Sequence, residues 1–328
     1  MDTGAIGSGK LPVIKRVLFL GGNRFKEDGP LLHFVSVCKR LNIECAVISD
    51  DQRSFYPTES MGLLNECLLE KDVDLFTTDK LSLDILKQYK EDNTLVFCVN
   101  CKWILSKEMI EMFPGRVFNY HNSALPEQRG AACHSWRLMQ SIDFTRLTIH
   151  AVSPEIDKGE IVLQEEIKFD KSISSLTQSY KFFAPKEAEL FSKFLNGDIN
   201  SYKKSDVPSF YWPKLSTNIN GYIDWSWTAR EIISFCHAFD HPFEGAATFL
   251  NGAKVNFSDV VVADELISFH PFQAGLIYRI DTNGIYVATR VGGVCVKNVN
   301  SEIDIRFREG LRFITPPDVL LSALTTKV

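Results

Sequence analysis

Four places in the sequence set residues at spacings that could do chemistry. Gly4-x-x-x-x-Gly9-Lys10 has the glycine and lysine spacing of a loop that cradles phosphates. Leu11 stands where a Ser or Thr hydroxyl is needed for magnesium, and no strand precedes it, so triphosphate binding is not expected there. Cys98 and Cys101 form a single CxxC. Structural zinc needs a second pair, and a redox pair normally opens a helix, whereas Cys98 lies in an apolar run, so plain thiols are expected. His237 and His241 stand four apart, as zinc ligands on a helix would. Pro242 follows at once and disfavours helix there, and no acidic residue completes the pattern, so packing or a helix-end role is expected. The fourth place is Phe118–Ile161 (FNYHNSALPEQRGAACHSWRLMQSIDFTRLTIHAVSPEIDKGEI). Asn119 and His121 are two apart at the end of an expected strand and so point the same way. Asp157 follows a second strand in an Asp-x-Gly turn. Taken alone, these residues read as polar surface loops.

The elements around them set the frame. Val13–Leu20, Ile43–Ile48, Val73–Phe76, Thr94–Val99, Val117–Asn119 and Leu147–Ala151 read as strands. Gly29–Leu41, Met61–Leu69 and Leu81–Tyr89 read as helices between them. Strands separated by helices pair in parallel, because each crossover must cover a sheet face. The expected fold is α/β: an open, mostly parallel Rossmann-like sheet through about residue 165. Pro126 and Arg129-Gly130 turn the chain into a helix carrying Trp136, and Ser172–Phe194 is strongly helical. Ala229–Phe239 is helical as well. Around it, short alternating runs broken by Asn251-Gly252 and Asn283-Gly284 signal hairpins, hence a smaller β-rich, barrel-like C-terminal domain. The expected organisation is a flexible leader (1–12), a catalytic domain (13–202), a Pro- and charge-rich linker (203–213) and the β-rich domain (214–328).

Bulk properties exclude several classes. The 328 residues fit two domains, and 45% hydrophobic with 23% charged residues is a globular composition. The net charge of −5 gives no global attraction to nucleic acid or anionic membranes. No apolar run reaches the roughly 18–20 residues of a membrane span, and the small, polar Met1–Lys10 is not a secretion signal. Eight cysteines scattered through apolar runs suit free thiols in a reducing, cytoplasmic compartment.

The fourth stretch resembles the folate-dependent formyltransferase family. The matching residues are Asn119, His121, Ser123, Leu125-Pro126, Arg129-Gly130, Trp136, Thr148, His150, Asp157, Gly159 and Ile161. Upstream, Asn100, Cys101, Lys102, Trp103, Ile104 and Leu105 look like the family loop whose backbone holds the pterin ring. Downstream, Asn220–Trp225 and His241–Ala246 resemble the C-terminal barrel domain of larger members. Ala124 replaces the usual leucine, Arg146-Leu147 stands where Gly-Val is common, and His237 sits where an Arg is frequent. Of these, Arg146 bears on the acceptor side of the site.

The resemblance implies an enzyme that transfers a formyl group from 10-formyltetrahydrofolate to an amine, without a metal. Asn119 would donate to the tetrahedral oxyanion, His121 would donate or take the amine's proton, and Asp157 would orient the imidazole. Ser123 is expected to cap the turn and His150 to hydrogen-bond beside the site, with Arg129 and Gly130 shaping it. Larger members act on methionyl-tRNA or on sugar nucleotides. Residues Ser209–Val328 carry 10 basic and 12 acidic side chains, a poor surface for tRNA phosphates. A small-molecule nucleotide-linked amino sugar is therefore the expected acceptor, with methionyl-tRNA formylation and formyltetrahydrofolate hydrolysis as alternatives. Only analogy suggests a homodimer.

Overall fold

In the computed structural model, which describes residues 13–22, 29–50, 57–58, 62–169, 173, 175–199, 208–264 and 267–327, the chain divides into two compact units. The first comprises residues 1–130, 144–168 and 180–211, and the second residues 131–143, 169–179 and 212–328. The leader, the Gly4–Lys10 spacing and residues 203–207 of the expected linker lie outside the described residues.

The apolar runs of the first unit become seven strands. They are β1 (Arg16–Gly21), β2 (Glu44–Ser49), β3 (Asp74–Thr77), β4 (Thr94–Val99), β5 (Val117–Asn122), β6 (Phe144–Ala151) and β7 (Ile161–Lys168). One sheet holds them in the order β7-β6-β5-β4-β1-β2-β3. β1 through β5 pair in parallel, whereas β6 runs antiparallel to both β5 and β7. Every residue of β4 is buried, as a strand covered on both faces requires.

The parallel crossovers are α1 (Pro30–Arg40), α2 (Leu64–Glu70), α3 (Leu83–Lys87) and α4 (Lys107–Glu111). α1 starts on a proline, which fits the first helical turn, and ends on Lys39 and Arg40, which face the negative end of its dipole. Its buried Phe34 meets Phe191 at 4.6 Å between ring centroids, and Phe97 meets the same ring at 4.7 Å. Phe191 belongs to α6 (Leu176–Leu195); α5 (Cys133–Met139) falls in the second unit. Phe19, Phe118 and Phe194 extend this buried aromatic layer.

The second unit is built on an antiparallel sheet in the order β8-β9-β12-β11-β10. Its strands are β8 (Ala246–Leu250), β9 (Ala253–Asp264), β10 (Ile277–Asp281), β11 (Gly284–Ala288) and β12 (Gly293–Asn300). Among the described residues these strands close no barrel, so the barrel-like expectation reduces to an open sheet. Asn251 and Gly252 both take positive φ in the β8–β9 hairpin, the geometry that Asn-Gly favours. α7 (Ala229–Phe239) starts at a capping box, with Thr228 N–H donating to Glu231 at 2.7 Å. It buries Ile232, Cys236 and Phe239 in a core shared with Trp225, Phe257 and Phe313. The last helix is α8 (Pro317–Thr325). None of the described helices is long and apolar enough to cross a membrane.

Candidate active site

β5 presents its side chains alternately to two faces. Tyr120 and Asn122 face the helix layer, where the buried Glu187 of α6 accepts from the Tyr120 hydroxyl at 2.7 Å and the Asn122 amide at 2.9 Å. Asn119 and His121 face the other way. The switch to antiparallel pairing places Asn119 opposite His150 and His121 opposite Thr148, so that β5 and β6 build one polar patch together.

The patch is wired as follows. The Asn119 amide lies 3.0 Å from His150 Nε2, and His150 Nδ1 lies 2.9 Å from the Ala151 carbonyl. A carbonyl can only accept, so Nδ1 carries the proton and Nε2 accepts from Asn119. Burial pushes the His150 imidazole down to about 4, against the opposing pull of the Asp157 charge. His150 is therefore neutral at ordinary pH. His121 Nε2–H donates to the Gln128 carbonyl at 3.2 Å.

Asp157 reaches the patch from the loop after β6. Its Oδ1 is 3.6 Å from His150 Nε2 and its Oδ2 is 3.9 Å from His121 Nε2. The carboxylate accepts from Gly130 N–H at 2.8 Å. Amide, imidazole and carboxylate thus converge, although the carboxylate stands beyond hydrogen-bond length from His121. Two glycines permit this. Gly130 takes φ +106°, and a Cβ on Gly159 would lie 1.6 Å from the Ala151 carbonyl oxygen.

The remaining expected residues divide by role. Ser123 is fully buried; its hydroxyl donates to the Gln128 carbonyl while its own carbonyl accepts from Thr148 Oγ1 at 2.9 Å, which closes the turn. Arg129 donates to Ser209 Oγ at 2.7 Å and to the carbonyl of Ile156, next to Asp157, at 3.5 Å. Asn100–Leu105 leave the end of β4, the neighbour of β5, where Cys98 pairs with Asn119. Asn100 takes φ +50°, Leu105 is buried, and Ile104 is 72% exposed. Lys102 pairs with Asp79 at 3.1 Å, and Trp103 Nε1 donates to the Asp79 carbonyl at 3.1 Å. Cys101 Sγ contacts the Trp103 carbonyl at 3.5 Å, Cys98 is buried within β4, and none of the eight cysteines is in a disulfide. His237 Nε2 donates to the Val260 carbonyl at 3.1 Å within the second unit.

Sequence reasoning passed over the Gln128 carbonyl, because a backbone acceptor carries no side-chain signal. It also assigned Phe210–Trp212 to the linker, whereas these residues form a short strand in which Phe210 N–H donates to the Glu127 carbonyl. An aromatic run of β-forming residues was the available signal.

Comparison with known proteins gives a consistent picture. A formyl transferase family model matches residues 67–195, and a model of the formyl transferase C-terminal domain matches residues 216–305. A methionyl-tRNA formyltransferase of Acetivibrio thermocellus is 27% identical over 292 residues, covering 87% of this chain and 91% of its own. One from Agathobacter rectalis is 25% identical over 242 residues, 72% of this chain and 76% of its own. Among solved structures, an N-formyltransferase from Helicobacter canadensis in complex with folinic acid and dTDP-3-aminofucose superposes with a TM-score of 0.65. It is 17% identical and covers 87% of this chain and 99% of its own. WlaRD, a sugar 3N-formyl transferase solved with dTDP and 5-N-formyl-THF, gives 0.65 at 18% identity, covering 87% and 98%.

Proposed function

The chain belongs to the formyl transferase family and is an enzyme that transfers formyl groups; from that premise we propose that it carries the formyl group of 10-formyltetrahydrofolate to the amine of a nucleotide-linked amino sugar. The observation that carries the reading is the convergence of Asn119, His121, His150 and Asp157 on one face of β5 and β6.

Attack of a neutral amine on the formyl carbon makes a new C–N bond and a tetrahedral oxyanion. Collapse breaks the bond to the folate nitrogen, which takes up one proton while the attacking amine gives one up. The Asn119 amide has two N–H groups. One is held by His150 Nε2, which orients the other towards the developing oxyanion. His121 faces the same space and serves as second donor or proton acceptor. Asp157, held by Gly130 N–H, supplies the negative charge that stabilises a protonated imidazole. The loop Asn100–Leu105 suits the pterin: it leaves the strand beside Asn119, and its exposed Ile104 offers apolar surface to a flat ring.

Two observations support a sugar nucleotide as acceptor. The TM-score of 0.65 is to a protein solved with dTDP-3-aminofucose, and it spans 99% of that chain. Residues 209–328 lack the excess of Lys and Arg over Asp and Glu on which a tRNA-gripping surface depends. The second reading, methionyl-tRNA formylation, is favoured by the two methionyl-tRNA formyltransferases matched above. A competition assay decides. 10-Formyltetrahydrofolate is offered with a panel of amino sugar nucleotides, with charged initiator tRNA, and with no acceptor. Amine-dependent tetrahydrofolate release with a sugar nucleotide supports the proposal. Formylation of the tRNA alone, or full-rate formate release without amine, replaces it.

A further inference from the structure

One face of β6 reads as a ruler. Arg146, Thr148 and His150 are two apart and share a face. His150 holds Asn119, and Thr148 Oγ1 holds the Ser123 carbonyl. Arg146 Nη1 pairs with Glu127 Oε1 at 2.9 Å. Both side chains of that pair are about four-fifths buried (21% and 18% exposed). The segment grasped at these points, residues 123–130, is the one that carries the Gln128 carbonyl to His121 and the Gly130 amide to Asp157.

We propose that the Arg146–Glu127 ion pair is a positioning device for the reaction, setting residues 123–130 so that His121 and Asp157 stand in register with Asn119. The inference rests on the reading of those three residues given above. The pair acts through the segment, which carries the Gln128 carbonyl to His121 and the Gly130 amide to Asp157.

First, the segment crosses from β5 to the loop around Gly130, and side chains hold it along its length, Ser209 Oγ donating to the Pro126 carbonyl at 2.6 Å among them. Thr148 grasps its start, Gln164 Nε2 donates to the Leu125 carbonyl at 2.9 Å, and Arg146 grips Glu127 directly before Gln128. Second, Arg146 is held from behind by Glu166, its cross-strand partner on β7, with Nε 3.5 Å from Oε2. A guanidinium bridging two carboxylates has a fixed orientation, which a lone contact would not give. Third, Glu127 Oε2 is buried without a hydrogen-bond partner among the described residues. Removing Arg146 would leave a poorly compensated charge, and the relaxation open to it is movement of the segment.

The test measures tetrahydrofolate release in five proteins: wild type, Arg146→Met, Glu127→Gln, the double variant and Arg146→Lys. The probe is 10-formyltetrahydrofolate with a dTDP-linked amino sugar. Each single neutral variant should lower kcat roughly 10- to 100-fold through misplacement alone, with KM for the folate little changed. The double variant should be no slower than Arg146→Met, because both changes break one link. Arg146→Lys, which keeps the charge but loses the fork that spans Glu127 and Glu166, should regain only part of the rate. A proton NMR readout covers the case of a slow acceptor: wild type and Arg146→Lys should show a slowly exchanging His121 Nε2–H signal that Arg146→Met loses. Should Arg146→Met not fold, the isosteric Glu127→Gln decides by the same two readouts. Unchanged kcat in both single variants with the signal retained, multiplying losses in the double variant, or a change confined to KM for the amino sugar would overturn the proposal. Full activity in Asn119→Ala would instead sink the reading of the site, a distinct failure.

Discussion

In the proposed mechanism Asn119 does two jobs with one amide, and its variants should show both. Asn119→Ala would remove the proposed oxyanion donor and should cost roughly 10²–10³ in kcat, with a lowered Tm because the buried His150 Nε2 loses its donor; single-turnover kinetics and a melting curve check this. His150 makes a pH prediction. Its buried imidazole is pushed from 6.5 down to about 4. Between those values the unfolded chain binds a proton that the folded chain refuses, so stability falls as pH drops through this window. His150→Gln should flatten the slope of Tm against pH over that range, and an unchanged slope would show that other groups set it. At this scale the sequence singled out Asn119, His121 and Asp157 through a family pattern, and the structure brings the three side chains onto one patch. The sequence was silent on the proton inventory. The neutral state of His150 follows from burial and from the Ala151 carbonyl, neither of which is written in a motif.

Strands and loops bring these groups together, and their tolerance is small. Gly159→Ala would drive a methyl into the Ala151 carbonyl, so the Asp157 loop must shift. Loss of most formyl transfer, with a lowered Tm, is expected from that single carbon; a variant with wild-type kcat would show that the loop has room. By contrast, Cys98→Ser with Cys101→Ser should leave activity largely unchanged, since neither thiol is in a disulfide and no transferred atom needs sulfur. Inactivity of a folded double variant would mean that the thiols do more than pack. Elements with strong local signals were the legible ones. Ala229–Phe239 combines a capping box with helical periodicity and was read to the residue. β5 was read three residues short, because Tyr120, His121 and Asn122 do not look like a strand interior. Their polarity is answered from outside the strand, by Glu187, Gln128 and the loops. The pairing of Asn119 with His150 spans 31 residues of chain, and only the antiparallel switch in the sheet creates it.

The whole molecule combines an α/β unit that holds the proposed reactive groups and a β-rich unit whose charges are nearly balanced. Alternation of strands and helices made the first legible, and Asn-Gly hairpins the second. What composition could not supply is the acceptor, since a handful of hydrogen bonds to a sugar and a base leaves no mark on net charge. The most direct measurement is formyl transfer by wild type and by His121→Ala, with 10-formyltetrahydrofolate and each member of an amino sugar nucleotide panel. The account predicts amine-dependent release of tetrahydrofolate with at least one sugar nucleotide, and its loss in the variant. Equal rates in the two proteins, or turnover with no member of the panel while charged tRNA is formylated, would contradict it.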